Sequence, residues 1–213
     1  MTEQEFIDRL AARARHAKVD LPTAIVGSLQ AYFRLLARWN STINLTSLSL
    51  DPPTIETFDR LLVEPLAAAR DFPEGPNIWF DLGSGGGSPA IPLKIARPTL
   101  TLTMIESKAR KAAFLQEVVR SLGLRATSVL NQRFEDVARD DKYARRADLV
   151  TVRAVRADAG LFSSAAQLLR DGGEMLIFGS TPPSQADLTE FEGPDTVELL
   201  SGASSFLTRF RRK

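Results

Sequence analysis

The sequence predicts an α/β protein in which a mostly parallel sheet of seven strands, with an antiparallel last strand, follows an N-terminal helical region. Helical periodicity fills the first third of the chain, and the Pro/Gly-rich stretch FPEGPN follows at 72–77. Short apolar runs then alternate with amphipathic segments, which is typical of a sheet covered by crossover helices. We therefore predict two parts, a helical region at 1–72 and a sheet domain at 73–213.

The N-terminal region is predicted to consist of three helices. Residues 3–16 and 22–40 carry apolar side chains at helical spacing. Pro22 suits the first turn of the second helix, where a missing N–H costs least. Turn-forming residues interrupt the pattern after residue 40, and an amphipathic helix resumes at 54–69.

Seven apolar segments are predicted to form the strands of the sheet. Five parallel strands are expected at 78–82, 100–105, 126–130, 149–152 and 175–178. The helices between them are expected at 89–97, 108–122 and 157–170. The last two segments, 196–200 and 205–210, are separated by SGAS and predict an antiparallel hairpin that ends the sheet.

Composition excludes several classes of function. The chain of 213 residues has no cysteine and one histidine, His16, which we interpret as a solvated residue on the first helix. Cysteine nucleophiles, thiolate metal sites and multi-histidine zinc sites are therefore not expected, and we predict no metal. The first residues lack the apolar core of a signal peptide, and no run approaches about 18 apolar residues. We expect a cytoplasmic protein, away from membranes.

A glycine-rich loop is the most informative motif. The stretch FDLGSGGGSPAIPLKI, at 80–95, follows the first predicted strand and opens a predicted helix. The carboxyl ends of parallel strands bind ligands at a topological switch point, and glycine allows the backbone to approach a ligand closely. The glycines of this loop are Gly83, Gly85, Gly86 and Gly87.

The sign of the ligand's charge separates two interpretations of this loop. A dinucleotide site needs G-x-G-x-x-G, but Ser88 occupies the last glycine position. Asp81 precedes the loop, and its negative charge repels a pyrophosphate but favours the ammonium and sulfonium groups of S-adenosylmethionine. An NAD oxidoreductase is therefore the weaker hypothesis.

Further acidic and aromatic residues follow the next two strands. Glu106 ends the second apolar run, where a carboxylate can accept hydrogen bonds from ribose hydroxyls, although it could instead cap the next helix. Phe134 and Glu135 suit the face and the exocyclic amine of an adenine, or they could open a short helix. The ordered series predicts a Rossmann-like class I S-adenosylmethionine-dependent methyltransferase.

Five motifs lie in order along most of the chain: NLTS at 44–47, DLGSGGGSPAIPL at 81–93, IESKARKAAFLQEV at 105–118, QRFED at 132–136 and VRA at 152–154. In these motifs the sequence resembles the ribosomal RNA small subunit methyltransferase G family, also called glucose-inhibited division protein B. This resemblance implies transfer of a methyl group from S-adenosylmethionine to N7 of a guanine in 16S rRNA, with the helical region helping to hold the RNA. By position, it implies cofactor contacts at Gly83, Ser88, Phe134, Glu135 and Arg153.

The residue inventory agrees with this chemistry. Guanine N7 carries a lone pair and needs no proton removed, so no strong general base is required. Arg153 ends the fourth strand and is our candidate catalytic residue, because a guanidinium can bind guanine O6 or a phosphate bidentately. A structural ion pair of Arg153 with Asp148 or Asp158 is the alternative. The partners expected are 16S rRNA or the small ribosomal subunit, bound by a monomer.

Two departures from the family pattern fall on the expected RNA side. DRLLVEP at 59–65 replaces the usual RHxLDS and places Glu64 at the acidic position, and Phe178 stands where a cation is expected. Two alternatives therefore stay open. The chain could methylate another RNA site or a small molecule, or it could bind the donor without catalysis, as a ribosome assembly factor.

Overall fold

The computed structural model describes residues 1–75, 77–179, 189–202 and 204–213. Within these ranges, seven strands form one sheet in the order β3-β2-β1-β4-β5-β7-β6. Strands β1 to β5 are parallel, and β7 runs antiparallel to both of its neighbours. The predicted fold class is confirmed. The strands are β1 Ile78–Leu82, β2 Thr101–Ile105, β3 Thr127–Leu130, β4 Ala147–Arg153, β5 Leu169–Gly179, β6 Phe191–Glu198 and β7 Phe206–Arg212.

The helices precede the sheet or connect its strands. The third predicted N-terminal helix is divided, because a π-helical turn at Asp59–Val63 joins α3 to α4 and a 3-10 turn at Ala69–Asp71 follows. π-Turns inside helices are frequent at functional sites. The α-helices of the described residues are α1 Glu3–His16, α2 Thr23–Asn40, α3 Ile55–Phe58, α4 Glu64–Ala68, α5 Ala90–Ala96, α6 Ala109–Ser121, α7 Phe134–Ala138 and α8 Ala159–Leu168.

The sheet is covered on both faces by apolar layers. Alternation along β1 directs Trp79 into one layer and Phe80 into the other. The layer at Trp79 also contains Phe6, Phe33 and Phe58 of the N-terminal helices, whose ring centroids lie 5.4 to 5.8 Å apart. The helical region therefore shares a core with the sheet. A boundary at 72/73 stays a prediction.

Two strand limits were predicted wrongly. Strand β5 begins at Leu169, within the segment predicted as helix, because the turn-forming residues after it form an irregularity in the pairing with β4 rather than a turn before the strand. Strand β6 begins at Phe191 instead of residue 196, since a register shift between Glu192 and Asp195 accommodates Gly193 and Pro194 within the strand. None of the helices in the described ranges has the length and hydropathy of a membrane span.

Candidate active site

The glycine loop lies where the strand order reverses, between β1 and α5. Its first two amides, of Gly83 and Ser84, donate hydrogen bonds to the Ile105 carbonyl at 2.9 and 3.1 Å. The backbone φ is +72° at Gly83, +52° at Gly85 and +84° at Gly87. These are left-handed conformations that cost other residues about 1–2 kcal/mol each. The glycine pattern is therefore required by the path of the backbone itself.

The glycines also permit close packing against the rest of the protein. A Cβ on Gly87 would lie 2.8 Å from Cγ1 of Ile91 and 3.2 Å from Cδ2 of Leu115. At Gly85 the nearest atom to such a Cβ would be the Gly83 carbonyl oxygen at 3.7 Å. Gly87 is thus fixed by contacts inside the protein, whereas Gly85 has space beside it and lines a cavity.

Glu106 follows β2 and holds the glycine loop. Its Oε2 accepts a hydrogen bond from the Gly85 amide at 2.9 Å, and its Oε1 accepts one from the Lys108 amide at 2.8 Å. The side chain of Asn131 donates to the Glu106 carbonyl at 2.9 Å. Glu106 lines the cavity, and each carboxylate oxygen keeps a lone pair that another donor can use.

Asp81 lies on the same face of β1 as Trp79 and is only 2% exposed. The hydroxyl of Thr151 donates to its Oδ1, and Trp79 Nε1 donates to that hydroxyl at 2.8 Å. Burial raises the pKa of Asp81 from 3.8 to about 6, although hydrogen bonds from Ser84 and Thr151 oppose this shift. Asp81 does not border the cavity within the described residues, so its predicted role beside a cationic ligand would act through charge.

Phe134 and Glu135 begin α7, after β3. Phe134 is half-buried against the core beneath this helix. Glu135 pairs with Arg133 at 3.2 Å, and this hydrogen bond lowers the pKa of its carboxyl group. The structure places both residues at the sheet edge that carries Glu106, but they are not among the described residues that border the cavity. Their contact with an adenine stays a prediction.

Arg153 ends β4 and lies in a network of buried polar groups. Its Nη2 donates to Glu64 Oε2 at 2.6 Å, with the two side chains 17% and 3% exposed. Its Nη1 donates to the Arg60 carbonyl and, at 3.2 Å, to the Ser88 hydroxyl. The guanidinium carbon lies 4.9 Å from the centre of the Phe178 ring. Phe178, at the position of an expected cation, thus contributes a cation–π contact instead.

The partner of Arg153 differs from both acids suggested by the sequence. Asp148 accepts a hydrogen bond from Arg170 at 2.6 Å, and Asp158 caps the first turn of α8. The sequence indicates Glu64 only as a departure from a family motif and not as a partner of Arg153. The pairing joins residues 89 positions apart, a relation that no sequence spacing reveals.

The N-terminal region forms part of the cavity wall and contacts the glycine loop. The hydroxyl of Tyr32, on α2, donates to the Gly86 carbonyl at 2.7 Å, and a Cβ on Gly86 would lie 3.2 Å from the Leu45 carbonyl oxygen. Of these two residues beside Gly86, only Leu45 belongs to a motif noted in the sequence, NLTS. The contact of Tyr32 with the loop was not predicted. The cavity, of about 750 Å³, extends from the glycine loop and Glu106 to Glu56, Arg60 and Arg153.

This strand order, with a glycine loop after β1 and an acid after β2, defines the class I S-adenosylmethionine-dependent methyltransferase fold. Solved structures share it. An S-adenosylmethionine-dependent methyltransferase from Aquifex aeolicus is similar with a TM-score of 0.56 and 13% identity, over 71% of this chain and 91% of that chain. A mutant of MtNAS in complex with S-adenosylmethionine is similar with a TM-score of 0.60 and 14% identity, over 100% and 92%. At these identities the likeness concerns the fold alone.

Residues 25–199 match the family described as rRNA small subunit methyltransferase G, and the chain belongs to this family. Relatives bearing that name include those of Roseiflexus castenholzii, 41% identical over 145 residues, and Xanthomonas oryzae, 37% identical over 168 residues. The relative of Leuconostoc mesenteroides is 31% identical over 204 residues. These alignments cover 68%, 78% and 95% of this chain, and 61%, 74% and 82% of the relatives. The predicted family is confirmed.

Proposed function

We propose that this protein transfers a methyl group from S-adenosylmethionine to N7 of a guanine in 16S rRNA. The observation that carries the proposal is the glycine loop held by the Glu106 carboxylate beside a cavity at the switch point, in a chain of this family. The cavity volume, about 750 Å³, falls within the range of ligand sites, about 300–1,000 Å³.

The residues of the loop fit the donor. Gly83, Gly85 and Ser88 border the cavity with backbone and small side chains, so that an adenosyl group can approach them. Glu106 is fixed by two backbone amides and retains lone pairs for ribose hydroxyls. Asp81 supplies negative charge from beneath the loop. When bound, S-adenosylmethionine supplies a methyl group on a positively charged sulfur.

The reaction requires alignment rather than proton removal. The N7 lone pair forms the new C–N bond as the C–S bond breaks, and positive charge passes to the purine. Holding the reacting atoms in line lowers the barrier by about 7–11 kcal/mol in well-oriented reactions. We assign Arg153 to the orientation of the target base or of a phosphate. Three of its hydrogen bonds are made within the protein, which leaves two of the five guanidinium N–H groups for a substrate.

The proposed partner is the small ribosomal subunit or its 16S rRNA, acted on by a monomer in the cytoplasm without a metal. Lys111 and Arg60 border the cavity, and Arg156 is exposed close to its rim. These cations would contact phosphates and release counterions. We therefore expect RNA binding to weaken steeply as salt rises, and a flat salt dependence would favour a small-molecule acceptor.

The decisive experiment measures transfer and its position. Purified protein is incubated with labelled S-adenosylmethionine and either small ribosomal subunits, naked 16S rRNA or a pool of free metabolites. We expect labelled 7-methylguanosine in the RNA, identified by mass spectrometry of nucleosides. Donor binding in calorimetry without transfer to any rRNA would favour a non-catalytic assembly factor, and label in another nucleoside would overturn the N7 assignment.

A further inference from the structure

Glu56 differs from the other carboxylates that lie in or directly behind the cavity, namely Asp81, Glu64 and Glu106. Those three have partners, and that of Asp81 is the Thr151 hydroxyl. Glu106 accepts two backbone amides, and Glu64 pairs with Arg153. Glu56 itself borders the cavity and is exposed. Across residues 1–75, 77–179, 189–202 and 204–213, its carboxylate makes neither a hydrogen bond nor an ion pair.

The most obvious partner for Glu56 is already engaged. Arg60 lies four residues further along the same helical segment and borders the same cavity, a spacing that allows an ion pair. Its Nη1 instead lies 3.4 Å from Oε1 of Glu64. An unpaired carboxylate in a cavity that receives RNA repels phosphate, so Glu56 is unfavourable there unless the substrate supplies donors for it.

The target base has such donors. Because N7 must face the methyl group, the Watson–Crick edge of guanine, with N1–H and the N2 amino group, remains for the cavity wall. Both groups are hydrogen-bond donors, and a carboxylate is a pure acceptor with two oxygens. Resting on the proposed function, we infer that Glu56 recognises the target guanine by accepting hydrogen bonds from N1–H and N2–H. It is thus a specificity-determining residue.

The backbone at Glu56 is well fixed. It lies in the first turn of α3, where Thr54 and Thr57 form a capping box: the Thr57 amide donates to Thr54 Oγ1 at 3.1 Å and the Thr54 amide to Thr57 Oγ1 at 3.2 Å. The Thr57 hydroxyl also donates to the Ser49 carbonyl at 2.7 Å. The cap fixes the point from which the Glu56 side chain extends into the cavity, and a site built to accept hydrogen bonds discriminates against a base that lacks the donors.

The test compares guanosine with inosine, which lacks only the N2 amino group. Small subunits are reconstituted with either nucleoside at the methylated position, mapped beforehand by mass spectrometry. For the unaltered protein we expect kcat/KM to be about tenfold or more lower with inosine. For Glu56→Ala we expect a loss of about tenfold or more on guanosine, and a guanosine-to-inosine ratio within about threefold of one. Glu56→Gln, which keeps one acceptor oxygen, should lie between them.

Controls separate this role from others. Glu74→Gln removes an exposed carboxylate away from the cavity and should leave both rates unchanged. Calorimetry should show donor affinity within about twofold of the unaltered protein in the Glu56 variants, since a larger loss would place Glu56 at the donor and overturn the inference. Undiminished discrimination in Glu56→Ala would also overturn it. If the unaltered protein makes no 7-methylguanosine at all, the proposed function is wrong, and the inference that rests on it is wrong as well.

Discussion

The wall of the cavity at the glycine loop is built mainly from backbone, whereas the wall at Arg153 is built from side chains of distant segments. Gly83, Ser84 and Gly85 are held by hydrogen bonds to Ile105 and Glu106, the last residue of β2 and the one after it. Arg153 contacts residues of the N-terminal region and of the glycine loop at once. We call these the donor wall and the acceptor wall.

The difference explains which wall a sequence motif can identify. The donor wall depends on left-handed backbone and on an acid that follows the adjacent strand, and both leave local patterns in the sequence. The acceptor wall depends on a buried ion pair between the π-helical region and β4. If the walls are independent, substitutions in one should leave the function of the other intact, and the following changes test this.

The largest effect is expected for Arg153→Ala. Methylation of rRNA should fall by about two orders of magnitude or more, as when an oriented charged donor is removed from an active site. Donor affinity should stay within about tenfold, or roughly 1.4 kcal/mol. Stability should also fall, by up to about 3–5 kcal/mol, because the buried Glu64 carboxylate loses its closer arginine partner and keeps only Arg60 at 3.4 Å. The measurements are labelled-methyl transfer, calorimetry with the donor, and urea unfolding.

Glu64→Gln is the matched control for that prediction. It neutralises the ion pair but keeps Arg153 and an acceptor oxygen. If Arg153 touches the substrate, this variant should retain more activity than Arg153→Ala at comparable stability. Equal losses in both variants would show that the arginine acts only by supporting the fold, and normal methylation by Arg153→Ala would remove it from the reaction.

Gly87→Ala should damage the donor wall next most strongly. A left-handed φ of +84° and the approach of Ile91 and Leu115 to an added Cβ together predict a loss of about 2–4 kcal/mol of unfolding free energy. Donor affinity should fall as well. Gly85→Ala is the control, since it has the strain without the clash and should cost about 1–2 kcal/mol. Equal losses in urea unfolding would contradict the role assigned to packing.

Asp81→Asn tests the charge beneath the donor wall through pH. Because burial raises the pKa of Asp81 to about 6 from 3.8, the native state binds this proton more tightly than the unfolded state does. The carboxyl group therefore favours folding at low pH, and this contribution is lost as pH rises from about 4 to 6, by about 3 kcal/mol. The variant should be more stable than the unaltered protein at pH 7 and similar to it near pH 4.

The same variant should bind the donor less well at pH 7 if the Asp81 charge attracts the cationic ligand. Burial also raises the pKa of Glu64, against the opposing effect of Arg153. Glu64 therefore makes a pH-dependent contribution to stability of the same sign as that of Asp81, and it does so in both proteins. The difference between the two proteins, from urea unfolding between pH 4 and 7.5, isolates Asp81. Unchanged donor affinity would exclude Asp81 from the donor site.

The sequence predicts local features of this fold well and pairings across the fold poorly. Strand β1 and the loop after it are found where the apolar run at 78–82 and the glycines that follow it indicate them. The start of β5 was missed because Asp171, Gly172 and Gly173 are typical turn residues. They form an irregularity between the Leu169 and Glu174 pairs with β4, and Gly172 has a left-handed φ of +72°.

The candidate site shows the same division. Glu106 was predicted at the site because an acid after the second strand has a fixed place in the fold. It does border the cavity, and its contact with a ribose stays a prediction. The partner of Arg153 was not predicted correctly. The choice between Asp148, Asp158 and Glu64 depends on the packing of α4 against the sheet domain. Tyr32 lies in the segment 22–40, which is predicted as a helix from its apolar spacing, and a buried hydroxyl carries no pattern that distinguishes it from a core position.

Tyr32→Phe is the smallest change and tests whether the N-terminal region supports the donor wall. The Tyr32 hydroxyl is the group that donates to the Gly86 carbonyl, at 2.7 Å, and its loss leaves that partly buried oxygen without this bond. We expect about 1 kcal/mol less unfolding free energy and a modest loss of donor affinity.

Tyr143→Phe is the matched control. The Tyr143 ring packs edge-on to Phe80 at 5.9 Å, and within the described residues its hydroxyl makes no hydrogen bond. Stability should therefore change by less than about 0.5 kcal/mol. Identical behaviour of the two variants in unfolding and calorimetry would mean that the helices cover the loop without holding it.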